Sequence, residues 1–190
     1  MISCRNLSRS FGSTTVVEGL DIDLPQGSVC AFLGPNGAGK STTVKLLTGQ
    51  LRPDSGEATV AGWDVLRRPL ELKHCIGVLP DRLGLFDHLT VEEHLSMAGP
   101  IYGLSRPETE ARAGQLLHVL GLEPARYTYA DHCSHGTRKK AALAMALLHN
   151  PRVLFLDEPF EGVDPLTSRV IRDLLQSLAT RGVTVFFTSH

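Results

Sequence analysis

A chain of 190 residues, 42% of them apolar, is long enough to bury a substantial core as one domain spanning residues 1–190. Its formal net charge of −1 gives no basic excess, so no nucleic-acid partner is expected, and every apolar run is broken well short of the ~18 residues of a membrane span. The cysteines Cys4, Cys30, Cys75 and Cys133 form no C-x-x-C pair and the N-terminus has no apolar signal core, which points to a reducing, cytosolic setting.

In chain order, residues 2–8 and 14–24 read as an opening pair of strands, half-buried by their alternation at Thr14–Val17 and Leu20–Leu24. Phe11-Gly12 falls in the connection, where an aromatic ring either stacks on a base or folds onto the core. Pro25-Gln26-Gly27 turns the chain into a buried strand over 28–33.

The next stretch is Gly34-Pro35-Asn36-Gly37-Ala38-Gly39-Lys40-Ser41-Thr42, which fits the phosphate-loop pattern G-x-x-x-x-G-K-[ST]. Glycines let a loop curl its N–H groups inward onto phosphate oxygens, Lys40 supplies charge at the β- and γ-phosphates, and the Ser41 hydroxyl can ligate Mg²⁺. A helix over 41–49, with Gly49 as its stop, adds its positive N-terminal end to the same anion site. Strand, glycine loop and helix are the setting that a nucleotide site requires.

Residues 52–56 read as a turn, and 57–62 and 75–79 as strands, the latter ended by Pro80-Asp81. The stretch from about Thr90 to Leu120 is helical: Thr90 caps one helix with Glu92 and Glu93 in its first turn, and a second runs from Pro107 to a stop at Gly121. Ser134 opens a third helix with a broad apolar face. Residues 153–156, Val-Leu-Phe-Leu, suit a central parallel strand covered on both faces, and Asp157-Glu158 then lies at the sheet edge where α/β proteins bind ligands. In a chain with a phosphate loop, Asp157 would hold Mg²⁺ and Glu158 would activate or orient the attacking water. A helix over 166–179 and a buried strand over 183–187 lead to Thr188-Ser189-His190. The expected fold is α/β of the phosphate-loop NTPase type, with a mixed or parallel central sheet, an N-terminal antiparallel β subdomain and a helical subdomain at about 85–150.

These pieces, in this order, resemble the nucleotide-binding domain of an ATP-binding cassette (ABC) transporter, and the resemblance runs from the Phe11 turn to the last residue. Cys133-Ser134-His135-Gly136-Thr137 resembles the family signature L-S-G-G-Q, retaining Ser134 and Gly136. The resemblance implies that Ser134 and Gly136 press on the γ-phosphate held by a second ABC subunit in a head-to-tail dimer, an identical copy or a related chain. It likewise makes Phe11 the adenine-stacking aromatic, Asp164 of Gly162-Val163-Asp164 part of the segment exchanged across the dimer, and His190 the switch histidine. Catalysis would then rest on Lys40, Glu158 and His190, with ATP and Mg²⁺ bound and Ser41, Asp157 and Asp81 toward the metal. Asp81 stands where family members usually carry glutamine and adds negative charge near the γ-phosphate.

His132, Cys133 and His135 crowd three donors into four residues with no fourth nearby, which argues against a metal site. The family fold normally continues past the switch histidine, so the resemblance implies a truncated product or a natural protein that extends further. The short helical middle and the Asp54-Ser55-Gly56-Glu57 turn resemble stand-alone ATPases of small exporters. The implied partner is a separate membrane permease, with this chain peripheral on the inner face of the cell membrane. The alternatives are a nucleotide-binding regulatory subunit that does not turn over and a soluble ABC ATPase of DNA repair or ribosomes.

Overall fold

The computed structural model describes all 190 residues. Strands β1 (Ile2–Phe11) and β2 (Thr14–Leu24) pair antiparallel, and β3 (Val29–Leu33) leads into α1 (Lys40–Leu47). Then come β4 (Ser55–Val60), the short β5 (Trp63–Asp64), α2 (Pro69–Cys75) and β6 (Ile76–Leu79). Helices α3 (Val91–Ile101), α4 (Arg106–Val119) and α5 (His135–Leu147) precede β7 (Val153–Leu156), α6 (Pro165–Thr180) and β8 (Thr184–Ser189). The strands form an antiparallel sheet, β2-β1-β4-β5, and a parallel sheet, β3-β8-β7-β6.

The apolar run of β7 is explained by two cores. Val153 and Phe155 join the cluster that includes Ile2, Leu7, Val44 and Leu47, between the parallel sheet and the antiparallel one. Leu154 and Leu156 turn the other way, into the cluster formed with Leu95, Leu117, Leu143 and Ile171 of the helices. Alternation along a strand covered on both faces leaves no position for a polar residue, and all four side chains are buried. Phe186 of β8 sits between Phe32 and Phe155 at centroid distances of 5.6 and 5.8 Å.

Helices α3 and α4 start at capping boxes, Thr90 with Glu93 and Ser105 with Glu108, in which each hydroxyl and carboxylate satisfies backbone N–H groups. Their interiors join the helical core through Leu95, Ala98, Ala113 and Leu117. At the far end of α3 the Tyr102 ring stacks on His149 at 3.7 Å, and His149 Nε2 donates to the Ile76 carbonyl at 2.9 Å. Burial lowers the His149 pKa, which favours this neutral, single-donor imidazole. No helix is long and apolar enough to cross a membrane.

Three local readings change. Phe11 is the last residue of β1, paired with Thr14, rather than part of the connection, because the hairpin closes tightly at Gly12. Helix α2 was not evident from periodicity: it has seven residues and buries only Leu72, too few for an apolar stripe. It also takes Cys75, the residue with which the apolar run over 75–79 begins.

The helical layer meets the parallel sheet at Gly77 with no room for a side chain. A Cβ built there would lie 2.2 Å from the backbone oxygen of Ala146, so β6 and α5 touch through backbone. Gly77→Ala is expected to lower unfolding stability by about 1–3 kcal/mol through overpacking, read as a lower urea midpoint at unchanged slope. An unchanged midpoint would mean that α5 yields freely.

Candidate functional site

Parallel strands deliver their C-terminal ends to one edge. Leu33 runs into the glycine loop, Leu79 leads to Asp81, Leu156 to Asp157 and Glu158, and Ser189 to His190. The loop is stitched to this edge by Gly34 N–H, which donates to Ser189 O at 3.2 Å, while Asp157 N–H donates to Leu79 O at 2.8 Å. A cavity of about 570 Å³ opens there, lined by Phe11, Val16, Asn36, Gly37, Gly39, Lys40, Ser41, Thr42, Asp81, Glu158 and Glu161.

The loop presents backbone donors to this cavity. The N–H groups of Asn36, Gly37 and Gly39 have no partner within the protein, and those of Lys40, Ser41 and Thr42 at the start of α1 have none either. Gly39 has φ +81°, and a Cβ there would meet Val16 O at 2.5 Å. The loop therefore rests directly on the antiparallel sheet, and only glycine fits. Gly34, Pro35 and Ala38 do not line the cavity. Gly34 O and Pro35 O instead accept from Lys40 Nζ at 2.7 and 3.2 Å, and Ala38 N–H closes a turn on Pro35 O.

Glu158 is the centre of the charge arrangement. Its Oε1 lies 3.2 Å from Lys40 Nζ and its Oε2 3.2 Å from His190 Nδ1. Lys40 and Glu158 are largely shielded, whereas His190 stays open to solvent. Glu158 also adopts φ +49°, uncommon for a residue with a side chain. Thr188, fully buried on β8, spans the carboxylate pair: its hydroxyl donates to Asp157 Oδ1 at 2.6 Å and accepts from Glu158 N–H at 2.9 Å.

Ser41 and Asp81 stand on the cavity wall, while Asp157 is buried beneath it with Oδ1 engaged by Thr188 and no hydrogen bond to its other oxygen. An all-oxygen set of one hydroxyl and two carboxylates matches a small hard cation that keeps part of its water shell. His132, Cys133 and His135 are not brought together as a group of metal donors.

Phe11 lies on the cavity wall, about half exposed, with the Arg9 guanidinium 4.9 Å over its ring. An open aromatic face backed by a cation is a platform for a planar base. Ser134, Gly136 and Asp164 are not in this cavity. Ser134 is the N-cap of α5, accepting from Thr137 N–H at 3.1 Å, and its side is exposed. Asp164 caps α6, accepting from Leu166 and Thr167 N–H at 3.0 Å each, and the Thr167 hydroxyl holds its carboxyl pKa below the ordinary range. The two caps adjoin: a Cβ on Gly136 would lie 3.1 Å from Thr167 Oγ1, and one on Gly162 3.1 Å from the His135 ring.

Sequence reasoning missed Val16, Glu161, Thr188 and Lys139. Val16 and Glu161 carry no local signal. Lys139 reads as solvated within Arg138-Lys139-Lys140, yet it is three residues after Gly136 and four before Leu143, on the buried stripe of α5.

The ABC transporter family model matches residues 17–161. The linearmycin resistance ATP-binding protein of Bacillus subtilis is 35% identical over 190 residues, covering all of this chain and 61% of that protein. The daunorubicin/doxorubicin resistance ATP-binding protein of Streptomyces peucetius is 37% identical over 189 residues, covering all of this chain and 57% of that one. This chain thus spans about three fifths of each of these relatives. Among solved structures, a dimeric bacterial ABC transporter cassette aligns with a TM-score of 0.90 at 25% identity, over all of this chain and 88% of that one.

Thr188→Val keeps the shape but leaves the Glu158 N–H and the Asp157 carboxylate without a partner. The expected loss is about 2–3 kcal/mol of unfolding stability by urea denaturation. A loss below about 0.5 kcal/mol would show that water replaces the hydroxyl.

Proposed function

Because this chain belongs to the ABC transporter family and carries its ATPase domain, we propose that it is the ATP-hydrolysing subunit of a transporter, driving a separate membrane permease. The observation that carries the hydrolytic reading is Glu158, poised between Lys40 and His190 at the mouth of a loop rich in free N–H donors. The nucleotide lies with its base on Phe11 and its phosphates along residues 34–42. Lys40 then shifts its charge from the Gly34 and Pro35 carbonyls to the phosphates. Glu158 takes a proton from the attacking water, and His190 holds the carboxylate and senses the terminal phosphate. Ser41, Asp157 and Asp81 would hold Mg²⁺, which would supply charge neutralisation at the phosphates.

Ser134, Gly136 and Asp164 lie outside the chain's own cavity, which supports a head-to-tail dimer in which each signature completes the other subunit's site. The exposed Ser134 hydroxyl and the start of α5 offer donors for that role, with the Asp164 carboxylate of the α6 cap beside them. The dimeric cassette that aligns with this chain supports dimerisation. Two relatives named for drug resistance support export, and a subunit of this kind works on the inner face of the membrane through its permease.

Glu158→Gln is expected to lower phosphate release by about 100-fold or more while ATP binding persists, and to accumulate ATP-bound dimer on gel filtration. Equal, slow release by wild type and variant would favour a regulatory subunit that binds nucleotide without turnover.

Asp81 is the feature that favours slow turnover, since Asp81, Glu158 and Glu161 line the cavity against Lys40. Asp81→Gln removes one negative charge from the phosphate side. It should lower the KM for ATP by about 3- to 10-fold, the scale of one partly screened charge interaction. An unchanged KM with lower kcat would assign Asp81 to the metal alone.

A further inference from the structure

Lys139 is a charged residue kept 4% exposed inside α5. Its Nζ donates to the carbonyl oxygens of Glu158 and Glu161, both at 2.7 Å. The same turn is closed by Glu161 N–H on Glu158 O at 3.3 Å. Glu158 is thus gripped at every polar group: its N–H by Thr188, its carbonyl by Lys139, and its carboxylate by Lys40 and His190. A residue at φ +49° keeps that geometry only while its surroundings hold it there. Burial pulls the Lys139 pKa down, opposed by the nearby carboxylates of Glu161, Asp81 and Glu158. A buried ammonium with no direct carboxylate partner is costly, and two carbonyls converging on one point are what its tetrahedral donors fit.

Resting on the ATPase reading above, we infer that Lys139 is a positioning residue: it fixes the strained Glu158 backbone and ties the signature helix of a subunit to that same subunit's own glutamate. Ser134 and Lys139 stand on one rigid helix, its N-cap and its second turn. Ser134 serves the nucleotide of the partner, while Glu158 serves the chain's own. A displacement of the start of α5 therefore reaches the Glu158 carbonyl through one side chain. Residues 158–161 are held to α5 a second time where Gly162 packs against His135.

The experiment is steady-state Mg-ATP hydrolysis by the full protein, comparing wild type, Lys139→Met and Lys139→Arg, with ATP-dependent dimerisation on gel filtration alongside. Lys139→Met should lower kcat by about 10- to 100-fold, the scale of an ångström-level misplacement, with KM within about twofold and dimerisation retained. Lys139→Arg, which keeps the charge and several donors, should recover most of the loss. If Lys139→Met does not fold, as judged by circular dichroism, Lys139→Gln takes its place with the same expected split. A kcat unchanged within about twofold, or a loss confined to KM and dimerisation, overturns the inference. Wild-type protein without turnover overturns the ATPase reading instead, and with it the premise of this one.

Discussion

Burial of β7 on both faces is the constraint from which the rest of the arrangement follows. A strand flanked by β6 and β8 and covered on both sides must spend every side chain on the cores, and Val153, Leu154, Phe155 and Leu156 do so. Function can then be placed only beyond its C-terminal end. Asp157 and Glu158 stand there, and the parallel neighbours bring Asp81, His190 and the glycine loop to the same edge. The antiparallel sheet completes the site from outside. It supports Gly39 through Val16 and supplies Phe11 at the end of β1.

At that edge the protein balances opposite charges within a shielded volume. Lys40 is satisfied by two loop carbonyls and one carboxylate oxygen, and the other oxygen of Glu158 meets His190. Lys40 and the loop N–H groups that lack internal partners can turn to a phosphate, a move that releases Glu158 Oε1 from its ion pair with Lys40. Asp81 shifts the balance toward negative charge, and this departure from the family pattern lies on the wall of the site itself.

The segment Cys133–Thr137 keeps only Ser134 and Gly136 of the pattern it resembles, yet its physical framework is complete. Ser134 caps α5, Gly136 leaves room for Thr167, and His135 packs over Gly162. Caps of α5 and α6 placed side by side make one continuous face, outside the cavity of their own chain. Burial raises the Cys133 thiol pKa, so this cysteine acts as an apolar residue beside the cap.

The sequence by itself determined the elements and the chemistry at their ends. Strand–loop–helix at residues 28–49, the apolar run before Asp157-Glu158 and the caps at Thr90 and Ser134 follow from local rules, because backbone conformation and capping are decided within a few residues. It could not reveal that Phe11 is paired at the end of β1 rather than set in the connection, that α2 exists, or that Thr188 and Lys139 grip Glu158. Those depend on pairs such as 139 with 158 and 157 with 188, set by how helices and strands pack rather than by their own propensities. A lysine within a basic triplet looks solvated until the helix it lies on is turned inward, and a threonine near the end of a strand is unremarkable until two carboxylate residues arrive beside it. Local physics settles which residues can do chemistry; the packed sheet decides which of them meet.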